Sequence, residues 1–339
     1  MRVCVVAGVR PHFLKLGRLS SVFRERRVDF RIIRINQQVV DGYDYYEQLD
    51  KSVICRDLMA GSFSYGGAGK FIEESLRHMR ARICLVIGDT KTTYVGAVAA
   101  NRAGVRLVHF EAGMRSLCSS GIEDRIRSAV DRRSDVLICC HESDRINLIR
   151  EGRDEKGIFV AGSLYMERIY SEIICDENVN HLDRSVCLVT IHRKENLRFS
   201  LLKDVVESIS LLGVPVKFVV HDSALDLLQN LRWPSHVAFH RSMSRRELLE
   251  CLCRSLLVVT DSAGLSEEAV VLRVPTVVVR SDTERPWLLG RNCVLASASE
   301  IFDAAARARR EFLPLFPLPR HRYVSDRIAE VVGRLALAG

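Results

Sequence analysis

Three carboxylates stand in this sequence where a reaction could use them. Asp89 lies in Gly88-Asp89-Thr90-Lys91-Thr92-Thr93, directly after the apolar run Ile83–Ile87. Glu111 lies in His109-Phe110-Glu111-Ala112-Gly113-Met114-Arg115-Ser116, at the lip of a second apolar run, with Arg115 close behind it. Glu123 follows in Ile122-Glu123-Asp124-Arg125-Ile126-Arg127. A buried carboxylate needs a partner, or it becomes a usable acid. Three of them exceed what an apolar core requires. Asp89 and Thr90 are also ordinary helix-capping residue types, so capping accounts equally well for that turn.

A second set suits an anion. Gly8-Val9-Arg10-Pro11-His12-Phe13-Leu14-Lys15 leaves the first apolar run and offers Arg10 and Lys15. Thr260-Asp261-Ser262-Ala263-Gly264-Leu265-Ser266-Glu267-Glu268 reads as a strand end turning into a helix. Free backbone N–H groups and the positive helix end there suit a diphosphate, and Glu268 could accept from ribose hydroxyls. A plain cap at Asp261 or Ser262, with dipole-favoured acids after it, explains the same residues. His192 and His221 each follow an apolar run, where a histidine serves as phosphate partner, proton donor or satisfied structural group. Arg285, in Thr283-Glu284-Arg285-Pro286, places charge after a further run.

Positioning these groups takes alternating strands and helices. Val3–Ala7, Phe30–Ile35, Ile83–Ile87, Leu107–Phe110 and Val136–Cys140 read as strands. Helices are expected at Phe13–Arg26, Ala68–Met79, Thr92–Ala103, Ile122–Arg132 and Asp144–Glu151. The pattern restarts with strands Val186–Thr190, Val216–Val220, Leu256–Val259 and Thr276–Val279. Helices are expected there at Ser200–Leu212 and Ser244–Cys253, with another starting at Glu267–Val271. Continuous Val/Ile/Leu runs separated by helices predict parallel strands covered on both faces. The fold class is therefore α/β, with two Rossmann-like doubly wound domains facing a central cleft. The expected domains are 1–170, holding most acid/base residues, and 171–339, binding the nucleotide. Tyr170–Arg184 reads as the crossing, and the last helix, Val324–Leu337, closes the second domain or packs back on the first. Ligands in such sheets bind at the carboxyl ends of the strands.

Composition narrows the class. The chain has 339 residues, 47% of them hydrophobic, and a formal net charge of +8. That excludes disorder and favours anionic partners. No aromatic-plus-basic recognition motif accompanies the charge, so no nucleic acid is expected. Met1–Gly8 is too short for a secretory signal, and no apolar run reaches the roughly 18 residues of a membrane span. Most of the eleven cysteines sit singly in apolar runs and lack metal spacing. Reduced thiols, a cytoplasmic location, no membrane and no metal are expected. Walker, H-E-x-x-H and G-x-S-x-G patterns are absent.

Together these segments resemble the UDP-N-acetylglucosamine 2-epimerase family, which has a GT-B-like fold. The motifs run in the family's order from Gly8 to about Asn292: Gly8–Lys15, Gly88–Thr93, His109–Ser116, His192–Asn196, Thr260–Glu268 and Thr283–Pro286. The resemblance implies an isomerase of amino-sugar biosynthesis that removes the C2 proton of a UDP-sugar and expels UDP from C1. Re-addition to the glycal on the other face then gives the epimer. It implies Asp89, Glu111, Glu123 and His192 as catalytic residues. Arg10, Lys15, Arg115, His221, Ser262, Ala263, Gly264, Glu268 and Arg285 are implied as substrate-binding. It further implies a homodimer with no cofactor. Non-hydrolysing interconversion of UDP-GlcNAc and UDP-ManNAc is the leading expectation. The alternatives are a hydrolysing epimerase, a GT-B glycosyltransferase and an inactive nucleotide-sugar binder. The sequence departs from the family at Ala263, a glycine there, at Ile122 and Ile126, a proline and an asparagine, at Trp287, often a glutamate, and at Gln38, a histidine in the region of an activating second UDP-GlcNAc site.

Overall fold

A computed structural model of the chain describes residues 2–35, 49, 53–58, 64–118, 121–174, 183–220, 233–241, 243–310 and 323–337. The chain divides into two units, Met1–Arg168 with Leu318–Gly339, and Ile169–Pro317.

In the first unit the apolar runs become strands β1 (Arg2–Ala7), β2 (Asp29–Ile35), β3 (Ile54–Leu58), β4 (Ile83–Ile87), β5 (Arg106–Phe110), β6 (Val136–Cys139) and β7 (Ile158–Val160). Between them lie helices α1 (Arg10–Glu25), α2 (Tyr65–His78), α3 (Lys91–Ala103), α4 (Ile122–Asp131) and α5 (Glu142–Arg150). Helix α6 (Leu164–Ile174) follows β7. The sheet is parallel in the order β3-β2-β1-β4-β5-β6-β7. Alternation along β1 sends Val3, Val5 and Ala7 to one face and Cys4 and Val6 to the other. The first set meets Phe13, Leu16 and Leu19 of α1, and the second meets Ile72 and Leu76 of α2. The last helix, numbered α11 here (Val324–Leu337), places Val324, Ile328, Ala329 and Val332 in the α1 core. Ser325 donates to the buried Glu167 carboxylate through both its N–H and its hydroxyl.

The second unit contains β8 (Val186–Ile191), α7 (Phe199–Ser210), β9 (Val216–Val220), β10 (Val237–His240), α8 (Arg245–Cys253), β11 (Ser255–Thr260), α9 (Ala263–Val271), β12 (Thr276–Val279), β13 (Cys293–Ala296) and α10 (Ile301–Arg310). Its parallel sheet runs β10-β9-β8-β11-β12-β13. Both orders turn back beside the first strand. The first unit thus has a switch point between β1 and β4, and the second between β8 and β11, where such sheets take their ligands.

Three helices start three or more residues earlier than expected, α2 at Tyr65 among them. Helix α1 begins at Arg10, with Pro11 supplying the preset φ of a first turn. Helix α9 begins at Ala263, four residues before Glu267, because Ser262 caps it. Strands β3, β7, β10 and β13 were not anticipated, and all four are sheet edges. No helix among the described residues is long and apolar enough to cross a membrane.

Candidate active site

In the first unit the site is built on loops leaving β1, β4 and β5. The loop after β1 passes so close to its neighbours that a Cβ on Gly8 would stand 2.2 Å from Thr92 Oγ1 and 2.6 Å from the Ile35 carbonyl oxygen. Only glycine fits there. Arg10 is exposed at the start of α1. Lys15, over one turn on, is buried with its Nζ 2.7 Å from Glu111 Oε1. His12 lies between them, 2% exposed, and its Nδ1 accepts from the Gly8 N–H at 3.3 Å. Burial, helped by the Lys15 charge, lowers its pKa to about 3, so the ring is neutral at physiological pH.

After β4, Thr90 and Thr93 form a reciprocal cap on α3. The cap is therefore Thr90, and the Asp89 side chain pairs instead with Arg127. Arg127 also bonds Asp124 Oδ1 at 3.0 Å and the Met114 carbonyl at 3.3 Å.

After β5, Glu111 adopts φ +68°, a left-handed conformation that costs a non-glycine residue about 1–2 kcal/mol. Its carboxylate reaches back to β4, where a Cβ on Gly88 would meet Glu111 Oε2 at 3.0 Å. The structure thus brings Asp89 and Glu111 together on adjacent strand ends. Asp131, the last residue of α4, is fully buried beneath this turn and bonds His109, Gly113 and Arg115. Burial would raise its pKa, but His109 and Arg115 hold it below the usual carboxylate range. Arg115 also forms a paired bond to Glu151, with both distances 2.8 Å. Glu123 is not drawn into this cluster. It is exposed in the first turn of α4, and its neighbour Asp124 is the buried carboxylate.

In the second unit two loops meet across the switch point. Asp261, at the end of β11 and fully buried, accepts from the backbone N–H of His192 at 3.2 Å and of Arg193 at 2.9 Å. It also accepts from Asn196 Nδ2 at 3.0 Å and stands 2.9 Å from His192 Nδ1. Burial alone would raise the Asp261 pKa, but His192 and these donors keep it below the usual range. The His192 side chain is 49% exposed, so its far edge faces solvent. Ser262, not Asp261, is the cap of α9, accepting from the Leu265 N–H at 3.3 Å. Ala263 and Gly264 are the first helical residues, and Ala263 is not in the left-handed region. That leaves the N–H groups of a first helical turn as anion donors.

Three further expected substrate contacts have internal partners. Glu268 accepts from Arg245 at 2.7 Å. The buried Arg285 bonds Glu267 at 2.7 Å and Glu284 at 2.5 Å. Arg115 is held as described above. His221 and Gln38 lie outside the described residues. Sequence reasoning missed Asp124, Arg127, Asp131 and Arg245, and it gave Asp261 only a capping role. In sequence, these charges on amphipathic helices and in a turn look like solvent-facing residues, and no local signal separates them.

Residues 59–315 match the profile of the family described as UDP-N-acetylglucosamine 2-epimerase. The UDP-N-acetylglucosamine 2-epimerase of Methanocaldococcus jannaschii is 29% identical over 312 residues, covering 84% of this chain and 85% of the relative. The UDP-2,3-diacetamido-2,3-dideoxy-D-glucuronate 2-epimerase of Pseudomonas aeruginosa is 27% identical, covering 91% and 92%. The crystal structure of the Methanocaldococcus jannaschii enzyme in complex with UDP-GlcNAc and UDP superposes with a TM-score of 0.81 at 26% identity, covering 100% of both chains.

Proposed function

From the premise that the chain belongs to the UDP-N-acetylglucosamine 2-epimerase family, we propose that it interconverts UDP-GlcNAc and UDP-ManNAc without net hydrolysis. The observation carrying this reading is the pairing of Asp89 and Glu111 at adjacent strand ends, each with its own cation, Arg127 and Lys15. Epimerisation at C2 needs proton transfer on two faces of one carbon, and one carboxylate cannot serve both.

The reaction begins when a carboxylate takes the C2 proton. The C1–O bond breaks, its electron pair leaves with UDP, and a C1–C2 double bond forms. UDP then returns to C1 while C2 is protonated on the opposite face. Asp89 and Glu111 are the inner proton-transfer groups. Glu123, open to solvent, is the one best placed to exchange its proton with water. In the second unit, the exposed edge of His192 and the N–H groups of Ala263 and Gly264 receive the diphosphate, whose charge grows as the bond breaks. Glu268 takes the ribose.

The test is proton NMR of UDP-GlcNAc with enzyme in deuterated buffer. Deuterium at C2, UDP-ManNAc and no accumulating free UDP are expected. Free UDP rising in step with free ManNAc would establish the hydrolysing reaction instead. No C2 exchange without an acceptor would favour a glycosyltransferase. The Pseudomonas aeruginosa relative supports a second reading of the sugar, so a UDP-2,3-diacetamido-glucuronate belongs in the same experiment. Exchange of that substrate alone would reassign the specificity.

A further inference from the structure

One buried carboxylate is linked to the backbone around both inner proton-transfer groups, directly at Gly113 and through His109 at Gly88. Asp131 Oδ1 lies 2.6 Å from His109 Nδ1. Asp131 Oδ2 accepts from the Gly113 N–H at 3.2 Å and from Arg115 at 2.7 Å. The other edge of the imidazole, Nε2, lies 2.8 Å from the Gly88 carbonyl oxygen. That carbonyl belongs to the peptide joining Gly88 to Asp89. His109 and Gly113 flank Glu111 at two residues on either side. Asp131 therefore grips both sides of the Glu111 turn and, through His109, the peptide before Asp89.

The arrangement has a specific mechanical job. Glu111 is held at φ +68°, which its surroundings must enforce. The ring nitrogens of His109 span from Asp131 Oδ1 to the Gly88 carbonyl oxygen. The Arg115 guanidinium, 2.7 Å away, pairs with the Asp131 carboxylate. His109 and Asp131 are each 0% exposed, so neither meets a substrate.

We infer that the His109–Asp131 pair is a positioning device that locks Asp89 and Glu111 into one geometry for proton transfer. The inference rests on the epimerase reading above, and its effect runs through the two carboxylates rather than through substrate contact.

Asp131→Asn tests it. An asparagine keeps the shape, but its NH₂ cannot accept from Gly113 and Arg115 if its oxygen keeps His109, or the reverse. Misplacement of this kind costs up to about 100-fold in rate. The expected result is a roughly 30-fold or greater fall in the C2 exchange rate at saturating UDP-GlcNAc. The KM and the Kd for UDP should be unchanged, and amide hydrogen exchange should speed up only in peptides spanning residues 88–89 and 109–115. Asp131→Glu, which keeps the charge one methylene further out, is expected to stay defective, and wild-type exchange in that variant would overturn positioning in favour of charge alone. An unchanged exchange rate in Asp131→Asn, or a KM rise that accounts for the whole loss, would also overturn it. Should Asp131→Asn not fold, His109→Asn cuts the Gly88 link while leaving the Gly113 and Arg115 bonds, and the same fall in rate at constant KM is expected. If wild-type protein shows no C2 exchange, the epimerase reading fails. Localised loss of amide protection in the variant then still shows the lock, and unchanged protection refutes it.

Discussion

The two units solve the same mechanical problem with different partners. Each ends its switch-point region on a fully buried aspartate that ties down a charged loop, Asp131 in the first and Asp261 in the second. Asp131 works mainly through two side chains, His109 and Arg115, together with the Gly113 N–H. Asp261 works mainly through backbone N–H groups and an amide, with the half-exposed His192 as its one ionisable partner. The first unit is therefore a packed lattice of ion pairs, with Lys15–Glu111 and Arg127–Asp89 beside it. The second presents a fixed loop and a helix start capped by Ser262. The first arrangement suits holding proton-transfer groups still. The second suits receiving an anion.

The strongest way to break this contrast is to remove the inner carboxylates. Glu111→Gln and Asp89→Asn are expected to lower C2 exchange by about a thousand-fold while leaving the Kd for UDP near wild type. Weakened UDP binding of comparable size, read by calorimetry, would mean the two functions are not separable in this way. Lys15→Met removes the cation 2.7 Å from the buried Glu111 carboxylate. It should lower unfolding free energy by about 3–5 kcal/mol in urea titrations, the cost of breaking a buried ion pair from one side. Glu123→Gln sharpens the comparison within one unit, since Glu123 is exposed. C2 exchange should fall by about a hundred-fold with no change in thermal midpoint. A shifted midpoint would assign Glu123 a structural role. His192→Asn is expected to weaken UDP binding by about ten-fold, the scale of one charge-assisted hydrogen bond, with the midpoint preserved.

The smallest effect concerns acid. Asp131 and Asp261 both titrate below the usual range in the folded chain. Between the folded and unfolded values the unfolded chain binds more protons. The stability these groups add is complete above about pH 5 and is lost as the pH falls through the unfolded value, about 3.9, towards the lower folded ones. Urea midpoints should drop between about pH 5 and about pH 3, and Asp261→Asn should flatten that slope. An equally steep slope in the variant would show that other carboxylates dominate.

Much of this was legible in the chain itself. The central strands β1, β4, β5, β8, β9 and β11 are runs such as Val3–Ala7 and Leu257–Val259, and burial on both faces demands that pattern. The motifs placed Asp89, Glu111 and His192 at strand ends, because a strand followed by a turn and a helix is a local signal. Edge strands carry no such signal. In β10, Ala238 and Phe239 are exposed, and β7 has only three residues, so neither reads as a continuous apolar run.

What the sequence determined by itself was the periodic alternation that builds two doubly wound sheets and delivers carboxylates to their ends. What only the tertiary structure decided was which charges face each other. Asp131 follows its partner His109 by 22 residues and Asp261 follows His192 by 69, and nothing in the intervening residues marks either pair. Strand formation follows from each segment's own apolar pattern. Ion pairing depends on sheet order, which brings distant loops together only after the strands have packed. Glu123 and Asp124 show the same division. They are adjacent and nearly identical in chemistry, and only the packing of α4 leaves one in solvent and turns the other towards Arg127.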